Sequence, residues 1–218
     1  MKSYAIIGLS SFGHFLAKKL SENGHQIMTV DVSEERIERV KAFVDKAIIA
    51  DATDKDTLAR LGLTDLDGVV VSLGDRMDAS TLVTLYLREL KVSNIIAKAL
   101  TEDHGKILNI IGANHVVFPE RDEAFRLAST LENENVLATI ELSEGISIIE
   151  IAPPQEFIGH TLGELDLRKK YDVLVMVIKE VVPEEVILVP TADHMIKDTS
   201  ILMILGENDK LAKIQKMK

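Results

Sequence analysis

Hydrophobic positions over residues 1–118 follow two alternating patterns. Short runs rich in valine and isoleucine are apolar throughout, as in strands that are buried on both faces of a sheet. The stretches between these runs have helical spacing, and the first of them places on one face Phe12, Phe15, Leu16 and Leu20. This alternation predicts parallel β-α-β units and a doubly wound α/β sheet. The predicted strands are Tyr4–Ile7, Gln26–Val30, Ala47–Ala50, Gly68–Leu73, Asn94–Ala97 and His115–Phe118.

The alternation ends after Pro119, where a different organisation begins. A charged helix follows, and its apolar face consists of Ala124, Leu127, Ala128 and Leu131. We therefore predict two domains: residues 1–134, a Rossmann-like nucleotide-binding domain with a crossover helix, and residues 135–218, a small α+β domain. The elements predicted in the second domain are strands at Ile146–Ile151, Val173–Lys179, Val186–Val189 and Ile201–Leu205 and helices at Thr161–Leu167 and Asn208–Lys216.

The composition narrows the function classes. With 25 Lys and Arg against 35 Asp and Glu, the chain carries a net charge of −10, so a nucleic-acid partner is not expected. The absence of cysteine excludes disulfide scaffolds, thiolate metal sites and cysteine nucleophiles. The apolar runs are much shorter than the roughly 20 residues of a membrane span, and the N-terminus lacks a signal-peptide pattern. We therefore expect a soluble cytoplasmic protein.

The first predicted strand-to-helix turn carries the strongest functional signal. Residues 8–13 read G-L-S-S-F-G and match the pattern G-x-G-x-x-G, except that Ser10 replaces the middle glycine. In that pattern the glycines make a tight turn, let the backbone approach a pyrophosphate, and pack the helix against the strand. Asp31 ends the second strand at the spacing of a carboxylate that binds ribose. Together these features predict an adenine nucleotide with its phosphates at the helix N-terminus.

Asp31 also bears on the choice of nucleotide. A carboxylate at this position accepts the ribose hydroxyls and repels a 2′-phosphate, which disfavours NADP. Replacing Asp31 with alanine is expected to weaken the binding of adenosine nucleotides and to leave the fold intact. Ser10 brings a hydroxyl close to the phosphates, where it either donates a hydrogen bond or weakens binding, and both outcomes stay open.

No complete catalytic pattern is found in the sequence. A P-loop needs Lys and Ser or Thr where His14 and Phe15 stand, and a nucleophile elbow needs glycine in place of Phe12. None of the three tyrosines is followed four residues later by the lysine of a short-chain dehydrogenase. We therefore expect a nucleotide-binding protein that is not an enzyme.

With these residues in view, the chain resembles the regulatory subunits of bacterial Ktr/Trk-type potassium transporters, which are built from RCK (TrkA-N and TrkA-C) domains. The resemblance covers essentially the whole chain. It rests on the glycine turn, on Val30-Asp31, and on these short segments taken together: Ile49–Asp54, Leu73-Gly74, Ala79–Leu82, Ile96–Ala99, Val117–Glu120 and Ile158–Arg168.

The resemblance implies a cytosolic nucleotide sensor that gates a potassium channel or transporter subunit. ATP, ADP, AMP or NAD(H) lies on the glycine turn, with the ribose at Asp31 and residues 51–53 near the adenine. The chains pair and form an octameric ring on the inner face of the membrane, and nucleotide exchange changes the geometry of the ring. The residues expected to bind the nucleotide are Gly8, Ser10, Ser11, Phe12, Gly13, Asp31, Val32, Asp51, Ala52, Thr53, Leu73, Gly74 and Lys98.

The resemblance also implies further ligands, and at one position this chain departs from its relatives. Glu120 matches a glutamate that helps hold a cation, Mg²⁺ or Ca²⁺, although the helix dipole alone also favours a carboxylate there. Arg168 and Pro190 match positions that bind cyclic di-AMP. Ser11 stands where close relatives have an arginine on the terminal phosphate of ATP, so weak discrimination of ATP from ADP is expected. Two alternatives stay open: an NAD-dependent oxidoreductase, and a nucleotide-binding scaffold without a channel partner.

Overall fold

The computed structural model describes residues 1–132 and 135–217. The chain divides into two units, the first from Met1 to Arg121 and the second from Asp122 onward. This division falls inside a helix that begins at Pro119. The predicted boundary between residues 134 and 135 adjoins residues 133 and 134, which lie outside the described residues, and it stays a prediction.

The doubly wound sheet predicted for the first unit is confirmed within residues 1–121, all of which are described. The strands are β1 (Ser3–Ile7), β2 (Gln26–Asp31), β3 (Lys46–Ile49), β4 (Gly68–Val71), β5 (Ile95–Lys98) and β6 (His115–Val117). The helices are α1 (Ser11–Glu22), α2 (Glu34–Val40), α3 (Lys55–Ala59), α4 (Met77–Glu89) and α5 (Glu102–Ile111), and α6 (Pro119–Glu132) follows β6. Neighbouring strands pair in parallel in the order β3-β2-β1-β4-β5-β6.

The direction of winding reverses between β1 and β4. These strands are neighbours in the sheet, although β2 and β3 come between them in the chain. The loops at their carboxyl ends turn away to opposite sides, which leaves a crevice at the edge of the sheet. Gly8 follows β1 and Ser72 follows β4 at this crevice. The topology therefore places the glycine turn where open α/β sheets bind their ligands.

Local chemistry explains the helices that flank the crevice. Ser33 caps α2 as its sequence position predicts, because its hydroxyl accepts a 3.3 Å hydrogen bond from the Arg36 N–H. Ile37 is fully buried beneath that helix. On α1, Phe12 is partly buried and packs against the core, whereas Phe15 is 67% exposed. Phe15 instead lies beside the glycine turn, where α1 and α2 leave a cavity between them.

The second unit is a small α+β domain, as predicted, and its sheet is antiparallel. Its described strands are β7 (Val136–Ser143), β8 (Ile146–Ile151), β9 (Leu174–Glu180), β10 (Glu185–Leu188) and β11 (Ser200–Glu207), and they pair in the order β10-β9-β11-β8-β7. Its described helices after α6 are α7 (Leu162–Leu165), α8 (Leu167–Tyr171) and α9 (Asn208–Gln215). Across the described parts of both units, none of the helices has the length and hydrophobicity needed to cross a membrane.

Two features of the second unit differ from the sequence prediction. Strand β7 was not predicted, because Leu137, Ile140 and Leu142 are exposed on an edge strand whose pairing to β8 contains two register shifts. The single helix predicted at residues 161–167 is two helices, since Asp166 has a left-handed backbone with φ of +44°. Hydrophobic periodicity does not detect the pairing of an edge strand or a single left-handed residue, which is why the sequence did not predict either feature.

Buried His104 gives the first unit a pH-dependent stability. The residue lies in the first turn of α5 and is 4% exposed, and its Nδ1 accepts a hydrogen bond from the Leu100 N–H at 3.4 Å. Burial holds the pKa of His104 below its ordinary value of 6.5, because the charged form loses its hydration. Below pH 6.5 the unfolded chain therefore binds a proton that the folded chain does not, and the free energy of unfolding falls as the pH approaches the folded pKa.

We expect urea titrations at one chain concentration to give a lower free energy of unfolding at about pH 5.5 than at about pH 7.5, by at most about 1.4 kcal/mol, because pH 5.5 lies about one unit below the ordinary pKa of histidine. His104→Asn keeps an acceptor near the position of Nδ1 and removes the titration, so this loss should shrink. The same change at the exposed His115 serves as the control and should leave the loss as in the parent chain. An equally steep loss in H104N would contradict the assignment.

Candidate functional site

The glycine turn packs closely against the loop that follows β4. Gly8 has a left-handed backbone, with φ of +91°, and a Cβ atom built on it lies 2.4 Å from the carbonyl oxygen of Ser72. On Gly13, in the first turn of α1, a Cβ atom lies 2.2 Å from the carbonyl oxygen of Gly8. Only glycine fits at either position. At Gly8 both the left-handed backbone and the close carbonyl oxygen exclude a side chain, and at Gly13 the close carbonyl oxygen excludes one. The turn therefore presents the backbone at the start of α1 to the crevice.

Ser10, which replaces the middle glycine, directs its hydroxyl into the protein. Its Oγ lies 2.7 Å from the Oγ of Ser72 and makes no cap to α1. Gly74 has φ of +65° and faces Ser10, since a Cβ atom built on Gly74 lies 3.8 Å from the Cβ of Ser10. The hydroxyl thus ties the glycine turn to the loop after β4 and leaves the N-terminus of α1 without a side-chain cap.

Asp31 is buried at the end of β2 and holds two loops in place. Its Oδ2 accepts a 2.7 Å hydrogen bond from the Leu9 N–H, and its Oδ1 accepts a 2.8 Å bond from the Ser33 N–H. The Nη1 atom of Arg36 lies 3.6 Å from the same Oδ2. One carboxylate therefore fixes both the glycine turn and the start of α2. A carboxylate has about four acceptor positions, so capacity for ribose hydroxyls remains.

A narrow cleft, which we call the inner cleft, opens at the carboxyl ends of β1, β2 and β4. It brings together seven of the predicted nucleotide-binding residues, Gly8, Asp31, Val32, Asp51, Ala52, Thr53 and Leu73. The other residues that line it are Ile7, Val30, Arg36, Ala50 and Arg76. Apolar walls combined with a few placed polar groups are the usual surroundings of a bound adenosine.

A tight turn shapes the far wall of the inner cleft. The Oδ1 atom of Asp51 accepts hydrogen bonds from the Thr53 hydroxyl at 2.7 Å and from the Thr53 N–H at 2.9 Å. The pKa of Asp51 lies below its ordinary value. The hydrogen bond from the Thr53 hydroxyl contributes most to this shift, followed by the Thr53 N–H and the nearby Arg76 guanidinium. Asp51 is therefore ionised at neutral pH and fixes Ala52 and Thr53 in the wall. Arg76, which sequence reasoning missed, enters this wall from the loop after β4.

A larger cavity of about 410 Å³, which we call the outer pocket, lies beside the glycine turn where α1 and α2 meet. Its lining consists of Leu9, Ser10, Ser11, His14, Phe15, Arg36 and Arg39. Ser10 and Ser11 were predicted to bind nucleotide, whereas sequence reasoning did not assign His14, Arg36 or Arg39. The signal that could have found the arginines is their i, i+3 spacing on a helix that starts directly after Asp31.

The other predicted residues lie outside the lining of both cavities. Phe12 on α1 is partly buried and packs against the core, and Gly13 packs closely against the Gly8 carbonyl oxygen. Lys98 ends β5 with its side chain 5% exposed, and its Nζ donates to the Oε1 of Glu120 in the first turn of α6. This buried ammonium is therefore paired with a carboxylate and does not extend into solvent.

Glu120, the residue predicted to help hold a cation, is paired with Lys98 in the structure. Within residues 1–132 and 135–217, no three His, Asp or Glu side chains are grouped in a way that could hold a metal ion. Because Glu120 pairs with Lys98, a cation has to compete with the ammonium for the carboxylate. The cation stays a prediction.

The residues predicted to bind cyclic di-AMP lie in the second unit. Arg168 is exposed on α8, and Pro190 is partly exposed after β10. The segment that follows Pro190 is joined to α7, because the Gly163 N–H donates to the Ala192 carbonyl oxygen at 2.7 Å. The two residues therefore belong to adjoining segments, and the cyclic di-AMP site stays a prediction.

The sequence is similar to known domains along nearly its whole length. Residues 4–119 match the TrkA-N domain, and residues 146–218 match the TrkA-C domain. The chain is 40% identical over 215 residues to the Ktr system potassium uptake protein C of Bacillus subtilis (strain 168), which covers 99% of this chain and 96% of that protein. It is 34% identical over 211 residues to the Ktr system potassium uptake protein A of Vibrio alginolyticus, which covers 97% of this chain and 95% of that protein.

Solved structures show a similar fold. The GsuK RCK domain superposes with a TM-score of 0.69 at 23% identity, over 99% of this chain and 47% of that chain. A GsuK channel bound to NAD superposes with a TM-score of 0.55 at 22% identity, over 100% of this chain and 38% of that chain. At these sequence identities, the similarity shows a shared fold and nothing beyond it.

Proposed function

This chain belongs to the family of Ktr potassium uptake proteins with TrkA-N and TrkA-C domains, and from that premise we propose that it is the nucleotide-sensing regulatory subunit of a potassium channel or transporter. The observation that carries the proposal is the inner cleft. There the glycine turn, Asp31 and the Asp51–Thr53 turn meet at the point where the winding of the sheet reverses. Open α/β sheets bind nucleotides at this position.

An adenine nucleotide, whether ATP, ADP, AMP or NAD(H), fits the chemistry of the residues present. Asp31 is buried with acceptor capacity left for ribose hydroxyls. Ala52 and Leu73 offer apolar contact to a flat base. The start of α1 has neither a side-chain cap nor an acidic residue in its first turn, so its backbone N–H groups and dipole favour phosphate.

Regulation follows from differential binding. A nucleotide changes the equilibrium between two arrangements of the regulatory subunit only by the difference between its affinities for them. Asp31 couples the site to its surroundings, because the carboxylate that faces the ligand also holds Leu9 and Ser33. A ligand that competes for this carboxylate therefore acts on the glycine turn and on α2 together.

Assembly and membrane docking belong to the same proposal. We expect dimers that form an octameric ring on the cytoplasmic face of the membrane, bound to a potassium channel or transporter subunit. Large apolar side chains are exposed on three helices of the RCK domain, and such surfaces are typical of protein contacts. They are Met77, Leu85, Ile107, Ile110, Phe125, Leu127 and Leu131. Mg²⁺ or Ca²⁺ at Glu120 and cyclic di-AMP at Arg168 and Pro190 complete the proposed ligands.

A thermal-shift panel tests the proposal. The full chain is melted with AMP, ADP, ATP, NAD and NADH, each with and without Mg²⁺ or Ca²⁺. A ligand that binds only the folded state at 100 times its dissociation constant adds about 2.7 kcal/mol, so we expect a clear rise in Tm with at least one nucleotide. A further rise with a divalent cation that Glu120→Gln abolishes would support the cation site.

Oligomer size and turnover separate the alternatives. Sedimentation of the nucleotide-bound chain should give a closed ring of about eight copies, since symmetric closed assembly is the usual form of homo-oligomers. A monomer that turns NADH over would instead indicate an oxidoreductase. No shift with any adenine nucleotide would contradict the nucleotide site itself.

A further inference from the structure

A carboxylate is buried in the second unit. Glu180 ends β9, and its side chain is 2% exposed. Its Oε1 accepts a hydrogen bond from the Ser200 hydroxyl at 3.0 Å, while its Oε2 is buried without a hydrogen-bond partner among the described residues. Taking a carboxylate out of water is costly unless donors and charges compensate for the lost hydration. The groups that surround Glu180 therefore decide how well this burial is tolerated.

Two basic partners of Glu180 come from one connecting segment, residues 190–199, which we call the latch segment. The Nε2 atom of His194 lies 3.3 Å from Oε1, and the Nζ atom of Lys197 lies 3.7 Å from Oε2. The Lys197 side chain is about half exposed, so solvent screens its attraction, whereas the imidazole of His194 is only 20% exposed. Whether Glu180 faces one positive charge or two depends on the proton of His194.

Backbone hydrogen bonds hold the other side of the latch segment to the residues around the start of α7. The Leu162 N–H donates to the His194 carbonyl oxygen at 3.0 Å. The Gly159 N–H donates to the Ile196 carbonyl oxygen at 2.8 Å, and the Ile196 N–H donates to the His160 carbonyl oxygen at 3.0 Å. These bonds exist only while the segment is attached, so the exchange of their hydrogens reports its detachment.

The other charged groups near His194 are mostly acidic. Asp193 precedes it in the chain: the Thr191 hydroxyl contributes most to holding the pKa of Asp193 below its ordinary value, and a charged His194 adds to the effect. Glu185 lies directly across from Glu180 on β10. The remaining charged side chains on the adjoining elements are either paired with each other, His160 with Glu164 and Lys179 with Glu150, or exposed, Glu184 and Asp198.

We propose that the latch segment is a proton-sensitive device, in which protonation of His194 strengthens its contact with Glu180 and holds residues 190–199 in place, while loss of the proton loosens them. Imidazole is the side chain that changes its charge between pH 5 and 8. A hydrogen bond between two charged partners is stronger than one with a neutral donor. Attachment therefore binds a proton and is favoured as the pH falls. The device goes beyond the proposed function and requires no nucleotide.

Hydrogen exchange of the full chain tests the latch at about pH 5.5 and about pH 7.5, on either side of the imidazole titration, with rates corrected for the intrinsic effect of pH. A local measurement is needed because buried His104 gives the first unit the opposite pH dependence. In the parent chain, the N–H groups of Gly159, Leu162 and Ile196 should be about threefold to tenfold more protected at the lower pH.

Three variants assign the response. His194→Gln keeps a donor for Glu180 but removes the titration, and Glu180→Gln removes the negative charge in a side chain of the same size, so each should abolish the pH response. His160→Gln is the matched control, since this imidazole lies 3.7 Å from Glu164, and the response should stay as in the parent chain. Equal protection of the parent chain at both pH values would overturn the proposal. A response that persists in either of the first two variants, or disappears in the control, would do the same.

Discussion

Replacing Gly8 with alanine is expected to lower the free energy of unfolding by about 2–5 kcal/mol and to abolish nucleotide binding. The new Cβ atom meets two obstacles. The backbone at Gly8 is left-handed, which L-residues adopt at a cost, and the Cβ atom would lie 2.4 Å from the Ser72 carbonyl oxygen. Because backbone atoms form the obstacle, the loop after β4 has to move, and the inner cleft changes shape with it. Urea denaturation and calorimetry with ADP measure the two losses.

Two further glycines separate the two causes. Gly24 has a left-handed backbone with φ of +80° and open space around it, so Gly24→Ala should cost about 1–2 kcal/mol and leave ADP binding unchanged. Gly13 has only the steric obstacle, since an added Cβ atom lies 2.2 Å from the Gly8 carbonyl oxygen. Gly13→Ala should therefore lower the free energy of unfolding by about 1–3 kcal/mol and weaken the binding of ADP. If Gly8→Ala is no worse than Gly24→Ala, the packing of the turn on Ser72 does not matter.

Asp31→Ala is expected to weaken the binding of ADP at least tenfold and also to lower the free energy of unfolding by about 1–3 kcal/mol. The second effect differs from the expectation, based on the sequence alone, that the fold would stay intact. The carboxylate accepts the Leu9 N–H at 2.7 Å and the Ser33 N–H at 2.8 Å, and its removal leaves both donors without this partner. Calorimetry with ADP and urea denaturation again report the two effects.

Asp45 provides the matched control for Asp31. Its Oδ2 also accepts a backbone hydrogen bond, from the Ile27 N–H at 2.7 Å, but it lies at the opposite end of β2. Because Asp45 is exposed and accepts this one backbone bond, Asp45→Ala should lower stability by less than Asp31→Ala and leave ADP binding as in the parent chain. Equal losses of ADP affinity in both variants would mean that Asp31 acts through stability alone and is not the acceptor for the ribose.

Ser10 illustrates why a motif is hard to interpret without its neighbours. From the sequence, a serine in place of the middle glycine either donates to the phosphates or weakens their binding. In the structure its hydroxyl is engaged with the Ser72 hydroxyl at 2.7 Å. This partner lies more than sixty positions away, and no local pattern around residues 8–13 contains it.

The element order, the parallel sheet and the glycine turn with Asp31 could be predicted from the sequence, because each depends on local signals. Buried strands are apolar runs, helices repeat every 3.6 residues, and a turn that needs left-handed backbone carries glycine. The second unit was predicted less completely. Strand β7 is fixed by its pairing with β8, and the register of an edge strand depends on a partner that periodicity does not describe.

The surroundings of the site were decided only by the tertiary structure. The sequence predicted that Asp31 binds the nucleotide. The packing of α2 against α1 brought Arg36 and Arg39 to the cavity that Ser11 lines, at the position where the family resemblance indicates a missing guanidinium group. It also placed Lys98 against Glu120. Contacts between side chains on different elements depend on strand order and on how helices pack, and these follow from the burial of the whole core. The sequence by itself therefore predicted the ligand class of the glycine turn, and the packing of the helices determined which charges lie beside that turn.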